Sequence, residues 1–89
     1  MKILFTGPFK KDFKKLPEEI QYQAEKALKL LAANPYHPSL NTKKTKGEVL
    51  KGYEGVFEAR ITRNYRFLFL IEKDCYVLLR CGNHDEFFK

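Results

Sequence analysis

Three apolar segments near the C-terminal end constrain the fold more than any other feature of the sequence. Residues 56–62 (VFEARIT), 65–71 (YRFLFLI) and 75–81 (CYVLLRC) are rich in β-branched and aromatic side chains, with short polar breaks around Arg63-Asn64 and Lys73-Asp74. Breaks this short join only antiparallel neighbours, so the three segments form a meander. Alternation along each strand puts Phe57, Ala59 and Ile61 on one face. Tyr65, Phe67, Phe69 and Ile71 share a face in the next strand, and Val77 and Leu79 are expected to share one in the last. Rows this apolar require a cover.

The N-terminal half supplies that cover. Residues 2–6 (KILFT) are β-prone and end at Gly7-Pro8, which predicts an opening strand. Phe9, Phe13 and Leu16 then recur at helical spacing, with Lys10, Lys11, Lys14 and Lys15 between them. Pro17 breaks this helix and suits the first position of a second, where Glu18 and Glu19 meet the positive end of the dipole. Its apolar stripe is Ile20, Ala24, Ala27, Leu28 and Leu31, and Asn34-Pro35 stops it. The expected order is β-α-α-β-β-β. This is an α+β fold in which a helical hairpin packs on one face of a sheet ending in an antiparallel three-strand meander. At 89 residues the chain suits a single domain spanning 1–89. Residues 35–55, with two prolines, three glycines and the run NTKKTKG, read as a basic loop, long enough to be functional and anchored by Leu40, Val49, Leu50 and Tyr53.

Seventeen Lys and Arg against eleven Asp and Glu give a net charge of +6, so the surface attracts polyanions such as nucleic acid or an acidic protein. The longest apolar run, residues 67–71, is too short to cross a bilayer, and no secretory signal is evident, which predicts a soluble, cytoplasmic protein with no membrane partner. Cys75 and Cys81 lie six residues apart on one strand, about 20 Å at ~3.3 Å per residue, beyond disulfide reach. They are expected to be reduced thiols, and no metal-ligand spacing surrounds them.

The cations are not spread evenly. With a turn over residues 62–64, Arg60 falls opposite Arg66 and Glu58 opposite Leu68, while Arg80 is expected opposite residues 66–67, with His84 and Asp85 just beyond the strand. Like charges opposed across strands destabilise a sheet, so this clustering points to an anion. Guanidinium forks bind phosphate bidentately, and a nearby imidazole can move a proton near neutral pH. RNA cleavage by its own 2′-hydroxyl needs such a set: a base, a cation at the pentacoordinate phosphorus and an acid for the 5′-oxygen. His84 is the candidate proton carrier. Glu58 is either a second one or a neutralising partner for the arginines. Lys43, Lys44 and Lys46 in the loop, with Arg63 in the turn, are candidates for flanking phosphates. Phe88 caps the core, stacks on a base or is simply exposed.

The segments HPSLNTKKTKG and FEARITRNYRFLFLIEKDCYVLLRCGNHDEFF, in this order of elements, resemble toxins of the RelE/ParE superfamily of type II toxin-antitoxin systems. The likeness is carried most specifically by RITRNYRFLF and LLRCGNHDEFF and covers nearly the whole chain. It implies a toxin neutralised by a cognate antitoxin protein. RelE-like members cut mRNA in the ribosomal A site without a metal or small-molecule cofactor, which makes ribosome and mRNA the implied partners. By this resemblance Arg66 corresponds to the phosphate-binding arginine and His84 to a basic catalytic position, with Arg60 and Arg80 in the same concavity. Phe88 stands where members often carry a functional tyrosine, and Glu58 where some carry a lysine and others a glutamate. The alternatives are a ParE-like inhibitor of DNA gyrase without RNase activity and a non-catalytic RNA-binding domain.

Overall fold

The structure, a computed structural model, describes residues 2–88. Strand β1 (Lys2–Phe5) leads into helices α1 (Gly7–Lys15) and α2 (Glu18–Ala33), then a short 3-10 turn at Pro38–Leu40. Strands β2 (Lys43–Lys44), β3 (Phe57–Arg60), β4 (Tyr65–Ile71) and β5 (Cys75–Asn83) follow, and helix α3 (His84–Phe87) closes the chain. The sheet order is β1-β5-β4-β3-β2, with β1 parallel to β5 and the other pairs antiparallel. The α+β architecture and helical hairpin expected from the sequence are therefore present. Three additions go beyond the expectation: β2 extends the meander to four strands, β5 runs on to Asn83, and α3 follows it.

Local chemistry accounts for the helix boundaries. The Thr6 hydroxyl accepts from the Phe9 N–H as the N-cap of α1 and also donates to the carbonyls of Leu78 and Leu79, tying that helix start to β5. Pro17 precedes α2, Glu18 and Glu19 occupy its first turn, and it ends at Ala33 just ahead of Asn34-Pro35. The Gln21 side chain, donating to the carbonyls of Phe13 and Leu16, holds the corner between the helices.

The two sheet faces are covered differently. On one, Phe9, Leu16, Ala24, Ala27 and Leu31 of the hairpin bury Ala59, Phe67, Phe69, Tyr76, Leu78 and Cys81. On the other, a smaller cluster of Val56, Leu68 and Leu79 is covered by Val49 and Leu50 of the loop and by Phe87 and Phe88. Val77 and Leu79 belong to this second face and do not join the row that meets the helices. The register explains this: Val77 pairs with Leu70, which faces away from the hairpin, and Leu79 lies two residues on. A bulge then follows, since Leu68 pairs with Arg80 but Phe69 with Leu78, and it puts Arg80 on the second face and Cys81 on the first. Among the described residues no helix is long and apolar enough to cross a membrane.

Candidate active site at the β3–β4 turn and α3

The β3–β4 register places Arg60 opposite Arg66 and Glu58 opposite Leu68, as the turn predicted. These side chains share the face away from the helical hairpin. Arg60 is exposed, whereas Arg66 is withdrawn, its side chain only 12% accessible. Its Nη1 donates to the carbonyls of Thr62 (2.7 Å), Arg63 (2.8 Å) and Tyr65 (3.1 Å), which clamps the turn. Its Nε lies 3.6 Å from Glu58 Oε1. Burial lowers the Arg66 pKa, the charge of Arg60 lowers it further, and Glu58 opposes both. Among the described residues the Arg66 Nη2 has no protein acceptor, so one edge of the fork stays available for an anion.

Glu58 is 6% exposed and is the one buried charged residue among those described. It reaches diagonally to Arg66, the geometry a neutralising partner for that guanidinium would have. A carboxylate in that position holds the guanidinium charge in place.

His84 comes to the same end of the sheet. Its backbone N–H donates to the carbonyl of Asn64 at 2.6 Å, joining the first residue of α3 to the turn that Arg66 clamps. Asn83 caps the helix by accepting from the Asp85 N–H, and the Glu86 carboxylate returns to the Asn83 N–H in a capping box. Across the β4–β5 ladder from Arg66 is Gly82, and the space a side chain would fill there is bordered by the Glu86 carboxylate. The His84 ring is 40% accessible, stacks on Phe88 with centroids 4.7 Å apart, and has Asp85 Oδ1 3.7 Å from Nδ1. Phe88 is thus a core cap that also backs the imidazole.

Arg80 does not join this group. The bulge sets it opposite Leu68, not residues 66–67, and its fork is taken by Asp12 of α1, Nε to Oδ2 at 2.5 Å and Nη2 to Oδ1 at 3.1 Å. Asp12 Oδ2 also accepts from the Cys81 N–H, and the guanidinium carbon lies 5.6 Å from the centre of the Phe87 ring. The bond to Asp12 raises the Arg80 pKa more than burial lowers it. Asp12 is the residue that sequence reasoning missed, yet its spacing carries the signal. It lies on the inward stripe of Phe9, Phe13 and Leu16, the one acid in a helix with four lysines.

The remaining candidates are all exposed. Lys43 and Lys44 form β2 at the sheet edge, Lys43 opposite Glu58, and Lys46 and Arg63 lie in loop and turn. Cys81 is buried and Cys75 half-buried, both as free thiols. Among the described residues no group of three or more His, Cys, Asp or Glu side chains gathers as a metal site would require.

This fold matches that of known proteins. The family described as the ParE toxin of the type II toxin-antitoxin system, parDE, matches residues 3–86. The chain belongs to this family, within the RelE/ParE superfamily of type II toxins. Among solved structures, a copper-bound mutant toxin from Helicobacter pylori is 25% identical over 99% of both chains, with a TM-score of 0.69. YafQ from E. coli is 16% identical over 99% of this chain and 98% of its own, with a TM-score of 0.78. The toxin of a RelB-RelE antitoxin-toxin complex from Methanococcus jannaschii is 24% identical over 93% and 92% of the two chains, with a TM-score of 0.70. No curated protein matches the chain at a significant level.

Proposed function

We propose that this toxin cleaves mRNA on translating ribosomes, with Arg60 and Arg66 holding the phosphate and His84 moving the proton. The observation that carries this reading is the opposition of Arg60 and Arg66 at the sheet end that also holds His84. Two cations facing each other cost stability unless an anion joins them, and a phosphodiester fits the free Arg66 Nη2 and the exposed Arg60 fork. During cleavage the 2′-oxygen attacks phosphorus as an imidazole nitrogen of His84 takes its proton. The bond from phosphorus to the 5′-oxygen breaks, and the protonated imidazole supplies that oxygen with a proton. The two guanidinium groups offset charge growing on the phosphoryl oxygens, and Glu58 keeps Arg66 in place. Lys43, Lys44, Lys46 and Arg63 steer the strand through flanking phosphates. A cognate antitoxin neutralises the toxin, as superfamily membership implies and as the RelB-RelE and YoeB-YefM complexes illustrate for those proteins.

A second reading, ParE-like inhibition of DNA gyrase, draws support from the matched family and from the pairing of Arg80 with Asp12, which leaves fewer free cations for RNA. Primer extension on mRNA from cells briefly expressing the protein separates the two. Cuts in phase with codons, lost in His84→Ala, are the expected result. Intact mRNA together with gyrase-dependent DNA damage would overturn the proposal in favour of the second reading.

A further inference from the structure

We infer that Asp12 and Arg80 are positioning residues that set the orientation of His84 through the ring of Phe87. This rests on the reading of His84 as the proton carrier, although the positioning itself can be measured without activity. Arg80 was expected to bind phosphate, but its geometry suits a different task. Two of its nitrogens are fixed by the Asp12 carboxylate, and that carboxylate is in turn fixed to the β5 backbone by the Cys81 N–H. The guanidinium is therefore held on both sides of a rigid joint between α1 and β5, and planar forks held in this way lose little freedom on making further contacts.

The ring of Phe87 lies against that guanidinium, 5.6 Å from its carbon, and Phe87 is the last residue of α3. Phe87 in turn packs edge-on to Phe88, centroids 6.5 Å apart, and Phe88 stacks on the His84 ring at 4.7 Å. A continuous set of contacts thus runs from α1 to the imidazole. Helix α3 is only four residues long and has no buried residue of its own. A single turn of helix is not stable alone in water, so its orientation is set by what it touches. The capping box and the bond from the His84 N–H to Asn64 fix its start, and at its end Phe87 and Phe88 rest on the small second core while the Arg80 guanidinium sets the direction of the Phe87 ring. A cation over an aromatic face, itself neutralised by a carboxylate, is a directional contact of the kind this task requires.

The test uses the full chain and three variants. Asp12→Asn removes the charge but keeps an oxygen for the Cys81 N–H, Asp12→Glu keeps the carboxylate, and Arg80→Lys keeps the charge without the fork. In the wild type, stacking on Phe88 should displace the His84 imidazole C–H resonances upfield. The expected result is that Asp12→Asn and Arg80→Lys move these resonances most of the way to free-imidazole positions, Asp12→Glu retains them, and amide resonances of α2 stay in place in all three. On ribosome-bound mRNA, kcat should fall on the order of 10- to 100-fold in the first two variants with KM unchanged, as for a displaced catalytic group. Unchanged His84 resonances in both Asp12→Asn and Arg80→Lys would overturn the inference, whether or not cleavage persists. If the wild type cuts no RNA while the resonances move as expected, the reading of function fails and the positioning stands.

Discussion

Strand β4 presents Phe67 and Phe69 to the helical hairpin and, from the residue between Tyr65 and Phe67, sends Arg66 to the opposite face with Glu58 of β3. The hairpin face is a continuous apolar layer in which Phe9, Phe67, Phe69 and Tyr76 meet ring to ring, at centroid separations of 6.0 Å and 6.2 Å for Phe9–Phe67 and Phe69–Tyr76. The other face has a core of three residues and keeps a buried ion pair, a like-charge opposition and a half-exposed imidazole beside it. The difference teaches where the sheet is built for apolar burial and where it is built to hold charge. Apolar burial explains the first face outright. The second gives up apolar area to hold charge, and stability alone does not account for that exchange.

The largest effect should come from the hairpin face. Phe67→Ala removes a fully buried ring and is expected to cost about 3–5 kcal/mol, much of the total for a domain of this size, as read by urea denaturation. A loss as small as that of a surface substitution would erase the contrast between the faces. On the second face, Glu58→Gln removes the counter-charge of a withdrawn guanidinium whose other contacts are carbonyls, at an expected cost of about 1–3 kcal/mol by the same measurement. An unchanged midpoint would mean that Arg66 does not depend on its partner.

Alkaline pH probes the boundary between hairpin and sheet through Cys81. Burial is the main cause that pushes its pKa up from 9.0 to about 12, with Asp12 and Glu86 adding to it and Arg80 opposing. A thiol whose folded pKa is raised gives stability that is complete below the unfolded value and is lost as pH climbs toward the folded one. Between pH 8 and pH 10 this group should therefore cost about 1.4 kcal/mol, roughly one pKa unit's worth. Cys81→Ala should flatten that part of the pH profile, and an equally steep profile in the variant would assign the loss elsewhere. The smallest stability effect belongs to Lys43→Ala and Lys44→Ala, within about 0.5 kcal/mol of wild type. Their signature is in RNA binding, where the slope of log affinity against log salt should become shallower by about 0.7 for each phosphate contact removed. An unaltered slope would take β2 out of the interface.

Much of the hairpin face was legible because its information is local. The spacing of Ile20, Ala24, Ala27 and Leu31 and the alternation of Phe67 and Phe69 each name their own buried side. The opposition of Arg60 and Arg66 was legible too, since a short turn fixes register in a hairpin. What the sequence did not disclose depends on single displacements or on distant partners. One extra residue at Leu79 moved Arg80 out of register, and Val77 follows its partner Leu70 onto the second face. Asp12 and Arg80 are 68 residues apart, and pairing them requires knowing that α1 lies along the β5 edge beyond the end of β1. The C-terminal turn was hidden for a related reason. Four residues carry little helical signal of their own, and α3 exists through its capping box and its contacts with Asn64, Arg80 and the small second core.

Arg60→Ala tests the central claim most directly, measured on one preparation for both folding stability and cleavage of mRNA on programmed ribosomes. Removing an exposed cation that faces Arg66 should leave the unfolding midpoint equal to or slightly above that of the wild type, while cleavage falls by at least an order of magnitude, as for loss of a group that stabilises charge in the transition state. A lower midpoint with cleavage intact would contradict the account, because the opposed arginines would then serve the fold and not an anion.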